Sequence, residues 1–146
     1  SQPLVLLSSG GDGVGPLDAI AQNLILLRPQ ATIVVISGRN QRLRQRLASL
    51  AKTYPLRVEG FSKQMHLWLR AADILVTKAG PNTLAEAFIM GVPTVLFAAI
   101  PGQEDGNVAL VEQYEAGIWA PGPQKSARAV LALLNDPQRR NRMAQQ

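Results

Sequence analysis

The stretch "DILVTKAGPNTLAEAFIM" (73–90) decides the fold. An apolar run at Ile74–Val76 passes into Gly80, Pro81, Asn82 and Thr83, and helix-forming residues follow without a gap. A strand with no polar alternation is one covered on both faces, the habit of a parallel sheet. A helix placed directly behind it makes a βα unit.

The same pattern repeats outward in both directions. Strand candidates are 4–7, 32–37, 56–61, 73–77, 93–98 and 116–120. Helical patterns fill the gaps at 16–27, 41–51, 65–72, 84–90, 107–113 and 126–134. The alternation predicts an α/β domain over residues 1–146: a Rossmann-like, doubly wound parallel sheet of about six strands. "DPQRRNRMAQQ" (136–146) reads as part of a helix, and the abrupt start in "SQPLVLL" suggests a piece of something longer.

Composition narrows the chemistry. With 146 residues, 47% hydrophobic and 17% charged, the chain suits one folded domain, not a disordered tail. It has no cysteine, which excludes a disulfide framework and a thiolate metal site and weakly favours a reducing compartment. No apolar run reaches the roughly 20 residues a membrane span requires, and no signal peptide is visible. A formal charge of +5 favours anionic partners.

In doubly wound sheets ligands bind beyond the carboxyl ends of the strands, so the segments there carry the chemistry. "SSGGDGVGP" (8–16) holds Gly10, Gly11, Gly13 and Gly15, which permit close backbone approach in front of a helix amino end. It is neither a clean dinucleotide fingerprint nor a Walker A loop. Asp12 would repel phosphate and suits a hydroxyl-bearing group. In "SGRN" (37–40), Arg39 could accept a 2′-phosphate, which keeps an NADP-binding regulatory module open. Arg42, Arg44 and Arg46 read as a solvated helix face, and the single histidine, His66 beside Leu67 and Trp68, reads as packing. With no His/Cys cluster and few carboxylates near the strand ends, no metal site is expected.

In the opening stretch, Thr83-Leu84-Ala85-Glu86 fits a capping box, Thr83 capping and Glu86 reaching back. That leaves Gly80, Pro81 and Asn82 unexplained. Gly80 and Asn82 tolerate left-handed backbone, and Lys78 adds a cation, so the loop could turn its amides toward a diphosphate. Glu86 could then accept from a ribose diol. In "IPGQEDGNVALV" (100–111), Gln103, Glu104 and Asn107 suit sugar hydroxyls, with capping by Asp105 or Asn107 as the alternative.

Taken in order, "GGDGVGP", "GRN", "GFSKQM", "TKAGPNTLAEA", "GVPTVL" and "PGQEDGNV" resemble the nucleotide-binding half of monogalactosyldiacylglycerol synthase-type glycosyltransferases. They are more distantly similar to the peptidoglycan lipid-II N-acetylglucosaminyltransferase and the diacylglycerol glucosyltransferases. The resemblance runs from about Pro3 to Ala120. It implies one half of a GT-B fold, the donor domain, with the acceptor domain absent from this chain. Phe61 and Ser62, with Met65 nearby, would surround the uracil. Glu86 would bind the ribose, and Gly80, Pro81, Asn82 and Thr83 would face the diphosphate. Gln103 and Glu104 would hold sugar hydroxyls, supported by Asn107, while Gly11, Asp12 and Gly13 lie at the diphosphate and the acceptor's approach.

Asn82 stands where the lipid galactosyltransferases usually carry Gly, and Asp12 fits the glycolipid group better than the peptidoglycan one. The resemblance further implies an inverting, metal-independent transfer of galactose or glucose from UDP to diacylglycerol, with no cofactor. The catalytic base would come from the missing domain, leaving this chain able to bind UDP-sugar but not to turn it over. A lipid acceptor reached through that domain, peripheral membrane contact and a cytoplasmic location follow, and nucleic acid is not expected. A split enzyme, in which the acceptor half is a separate membrane-bound chain, is the other arrangement.

Overall fold

The computed structural model describes residues 2–10, 13, 15–61 and 63–145. Among them run six strands and seven helices: β1 Leu4–Ser8, α1 Leu17–Leu26, β2 Thr32–Ile36, α2 Gln41–Ala51, β3 Arg57–Glu59, α3 Met65–Ala71, β4 Ile74–Lys78, α4 Pro81–Met90, β5 Thr94–Ala98, α5 Asp105–Gln113, β6 Gly117–Trp119, α6 Pro123–Leu134 and α7 Pro137–Ala144. The strands form one sheet in the order β3-β2-β1-β4-β5-β6, and every pair is parallel. The chain winds outward from β1 in one direction and from β4 in the other. The order therefore switches between β1 and β4, where such sheets open a crevice at their carboxyl ends.

Period-two alternation assigns each strand residue to one of two cores. On one face Val5, Leu7, Ile33, Val35, Ile74, Val76, Val95 and Phe97 pack against α1, α2 and α6 through Leu17, Ile20, Leu24, Leu43, Leu47, Val130 and Leu133. On the other, Leu6, Val34, Ile36 and Leu75 meet Leu69, Ala87 and Val92, and Leu96 meets Leu84 and Val111. Each fully buried leucine or isoleucine contributes about 1.5–3 kcal/mol, so this two-sided burial is the main support of the fold.

The edge strands β3 and β6 are three residues each, shorter than the apolar runs in the sequence suggested. α1 presents Leu17, Ile20, Ala21, Leu24 and Ile25 at helical spacing. α2 buries only Leu43 and Leu47, so Arg42, Arg44 and Arg46 lie on its exposed face as expected. There Arg46 pairs with Asp18 at 2.9 Å, a surface bridge worth under about 1 kcal/mol.

His66 corrects its reading as a packed residue. It is exposed on α3, because Leu69 fills the core position of that short helix and Trp68 packs only partly against it. α4 ends at Gly91, left-handed with φ 66°, and a methyl group there would meet the carbonyl oxygen of Ala144 at 2.8 Å. No helix among the described residues is long and apolar enough to cross a membrane.

Candidate functional site

The segment behind β1 turns on glycine. Gly10, Gly13 and Gly15 have φ of 91°, 59° and 113°, a region that costs an ordinary residue about 1–2 kcal/mol. Gly13 lies so close to the β2–α2 turn that a Cβ would fall 2.0 Å from the Ser37 carbonyl oxygen. A Cβ at Gly15 would strike the Phe97 ring at 2.7 Å. At Gly10 a Cβ would meet nothing within 4 Å. Two of the three glycines are thus demanded by neighbours, while the third borders open space.

The junction behind β4 is built differently. The sequence suggested a left-handed turn at Gly80 or Asn82 and a helix capped by Thr83. Instead, Gly80 is extended at φ −77°, ψ 140°, and is itself the N-cap, with no side chain capping the helix. Pro81 occupies the first helical position, where its fixed φ is already helical and its missing N–H is no loss. The helix therefore starts one turn earlier than the Thr83–Glu86 pattern indicated. Leu84 donates to the Gly80 carbonyl at 3.2 Å. With proline at the first position, the N–H groups of Asn82 and Thr83 are left at the helix mouth without an intrahelical acceptor.

Freed from capping, Thr83 and Glu86 sit three residues apart on one stripe of α4, beside the stripe that buries Leu84 and Ala87. Both line a cavity of about 180 Å³ at the switch point. Ser8 and Gly10 from the β1 side and Ile36 and Gly38 from the β2 side form one wall, and Phe61 and Met65 close it. Arg39 lies over the Phe61 ring at 3.9 Å, so its guanidinium is engaged with an aromatic face. No hydrogen bond or ion pair among the described residues engages the Glu86 carboxylate, which is exposed. A larger, mainly apolar hollow, lined by Ile25, Leu26, Ile33 and Tyr54, lies toward the amino ends of the strands, away from the switch point.

The third junction, behind β5, supports the second. Glu104 is only 3% exposed. Its Oε1 accepts from the Ile100 N–H at 2.9 Å, and its Oε2 from Lys78 Nζ at 3.3 Å. Asn107 Nδ2 donates to the Ala79 carbonyl at 2.9 Å. Neither Asp105 nor Asn107 caps α5: Asp105 accepts from the Gly102 N–H at 2.9 Å, and the helix has no side-chain cap. Gln103 is exposed.

Of the residues singled out in the sequence, Phe61, Met65, Thr83 and Glu86 meet in one cavity. Lys78 and Glu104 pair with one another, and Asn107 ties α5 to the loop before α4. Pro81 and Asn82 are exposed in the first turn of α4. Gly11, Asp12 and Ser62 lie outside the described residues. Sequence reasoning passed over Asn40, whose side chain caps α2 and reaches the glycine segment; its place just ahead of the "QRLRQRL" helix was the available signal.

A solved complex of Staphylococcus aureus MnaA with UDP superposes with a TM-score of 0.79 at 12% identity, covering 98% of this chain and 40% of that one. The Streptomyces glycosyltransferase SsfS6, solved with thymidine diphosphate, gives 0.75 at 18% identity, covering 99% and 36%. At those identities the likeness speaks for the fold: a Rossmann-like domain of the kind found in GT-B glycosyltransferases. In sequence, a probable monogalactosyldiacylglycerol synthase 2 of Oryza sativa subsp. japonica is 46% identical over 135 residues, 88% of this chain and 29% of that protein. The chain thus spans under a third of the length of that relative. Residues 17–146 match the family model described as the glycosyltransferase family 28 C-terminal domain, and the chain belongs to that family.

Proposed function

We propose that this chain is the donor-binding domain of an inverting glycosyltransferase that moves galactose or glucose from UDP to diacylglycerol. The observation that carries the reading is the cavity at the switch point, where the unengaged Glu86 carboxylate stands beside the mouth of α4. The 46% identity to a protein named a monogalactosyldiacylglycerol synthase supports the choice of acceptor and sugar class.

In this reading the uracil rests against Phe61 and Met65, and Glu86 accepts from the ribose diol. The diphosphate faces the Asn82 and Thr83 N–H groups, where the positive end of α4 stabilises the charge that develops as the nucleotide departs. Lys78, held by Glu104, adds a cation to the same wall. Gln103, exposed on the 100–104 loop, is the side chain available to the sugar. Glu104 supports that loop through Ile100. Inversion requires a base at the acceptor hydroxyl, and a further domain supplies it together with the lipid and the contact with the membrane.

Calorimetric titration with UDP and with NADPH tests the reading. UDP binds and NADPH does not; the reverse would overturn the assignment. Because Glu86 makes no cap, Glu86→Ala should lower UDP affinity by about tenfold or more while leaving Tm unchanged, and a variant that binds UDP like the wild type would remove Glu86 from the ribose.

A further inference from the structure

Asn40 lies at the N-cap of α2, where its Oδ1 accepts from the Leu43 N–H at 3.0 Å. Its Nδ2 donates to the Gly13 carbonyl at 3.0 Å, across 27 residues of sequence. One partner is a donor and the other an acceptor, and a carboxamide in a single orientation serves both from two separate atoms. Its backbone N–H donates to the Ser37 carbonyl at 3.3 Å, and Ser37 in turn donates through N–H and Oγ to the Glu59 carbonyl at 2.8 and 3.2 Å. Gly13 therefore belongs to a chain of contacts running from the end of β3 through the β2–α2 turn to the glycine segment. The close approach of Gly13 to Ser37 leaves no room for a side chain at Gly13.

We infer that Asn40 is a positioning residue for the donor site: it holds Gly13, whose N–H donates to the Gly10 carbonyl at 3.3 Å, and so locates the Gly10 wall of the cavity for the nucleotide diphosphate without touching the ligand. The inference rests on the reading of the cavity as a UDP site. It separates two duties of one side chain, capping α2 and locating a loop from another βα unit. Asp or Ser at this position keeps the first duty and loses the second. An aspartate would also set a carboxylate oxygen against the Gly13 carbonyl.

The test uses the whole chain, with UDP as probe, in wild type, Asn40→Asp and Asn40→Ser. Each variant should melt within a few degrees of the wild type and bind UDP roughly tenfold more weakly, the scale of one lost hydrogen bond. The neutral serine separates positioning from charge. If aspartate weakens UDP and serine does not, the effect is repulsion of the diphosphate and the inference fails; it fails also if both variants bind like the wild type. A wild-type chain that does not bind UDP refutes the functional reading instead. In the wild type the Asn40 side-chain amide signal should move on UDP titration, and a signal that stays still while UDP binds overturns the inference even where a variant does not fold.

Discussion

The two junctions that form the crevice, behind β1 and behind β4, do similar work with opposite means. The first is a positive-φ backbone that cannot hold itself and is fastened from outside, by Asn40 at its Gly13 carbonyl and by the packing of Ser37 and Phe97. The second is ordinary backbone preset by Gly80 and Pro81, then braced from below by Asn107 at Ala79 and by the Lys78–Glu104 pair. A glycine-rich turn gains reach and surrenders local rigidity. A proline-started helix is rigid locally and needs only to be aimed.

The comparison is broken most severely at Gly13. In Gly13→Ala the new methyl group meets backbone, not a movable side chain, at a φ that alanine resists. The loss should be about 3 kcal/mol or more. In a chain of this size that is a fall of roughly 6–12 °C in Tm, read by calorimetry. A melting point like that of the wild type would show that the segment can sit elsewhere.

On the β4 side, Glu104→Ala strips the Ile100 N–H of its acceptor and Lys78 of its counter-ion. Urea unfolding should show a loss of about 2–4 kcal/mol, most of it recovered in Glu104→Gln, which keeps an acceptor for Ile100. If the glutamine variant is as damaged as the alanine one, the ion pair and not the amide bond is what matters. The smallest effect belongs to Gly10→Ala. No atom lies within 4 Å of its Cβ position, so only backbone strain remains, about 1 kcal/mol. If ligand occupies that opening, UDP affinity should fall further than stability does; an equal fall in both would mean the opening is idle.

Most of the fold was legible because apolar strands and periodic helices alternate without ambiguity. α2 matches its sequence bounds, 41–51, since the leucine spacing announces it. The start of α4 was misjudged because two start signals compete there, Thr83 with Glu86 and Gly80 with Pro81. Proline prevailed: it carries helical φ before folding begins, whereas the capping box must fix two side chains. That error concealed the reason Glu86 is free.

The partners of Asn40, Asn107 and Glu104 lie on other elements, so no local pattern predicts where their side chains go. Glu104 shows this most clearly. A glutamate in a polar loop reads as exposed, yet the loop folds its Ile100 amide onto the carboxylate and buries it. His66 failed in the opposite sense, because a seven-residue helix has room for few inward positions.

The contact between Gly91 and the last turn of α7 gives α4 a stop at its rear. Ten residues at about 1.5 Å of rise make a strut some 15 Å long, its front at the crevice and its back against the Ala144 carbonyl. Such a strut cannot slide rearward without dislodging α7. A push on its front should therefore appear as altered protection of amides in the last turn of α7.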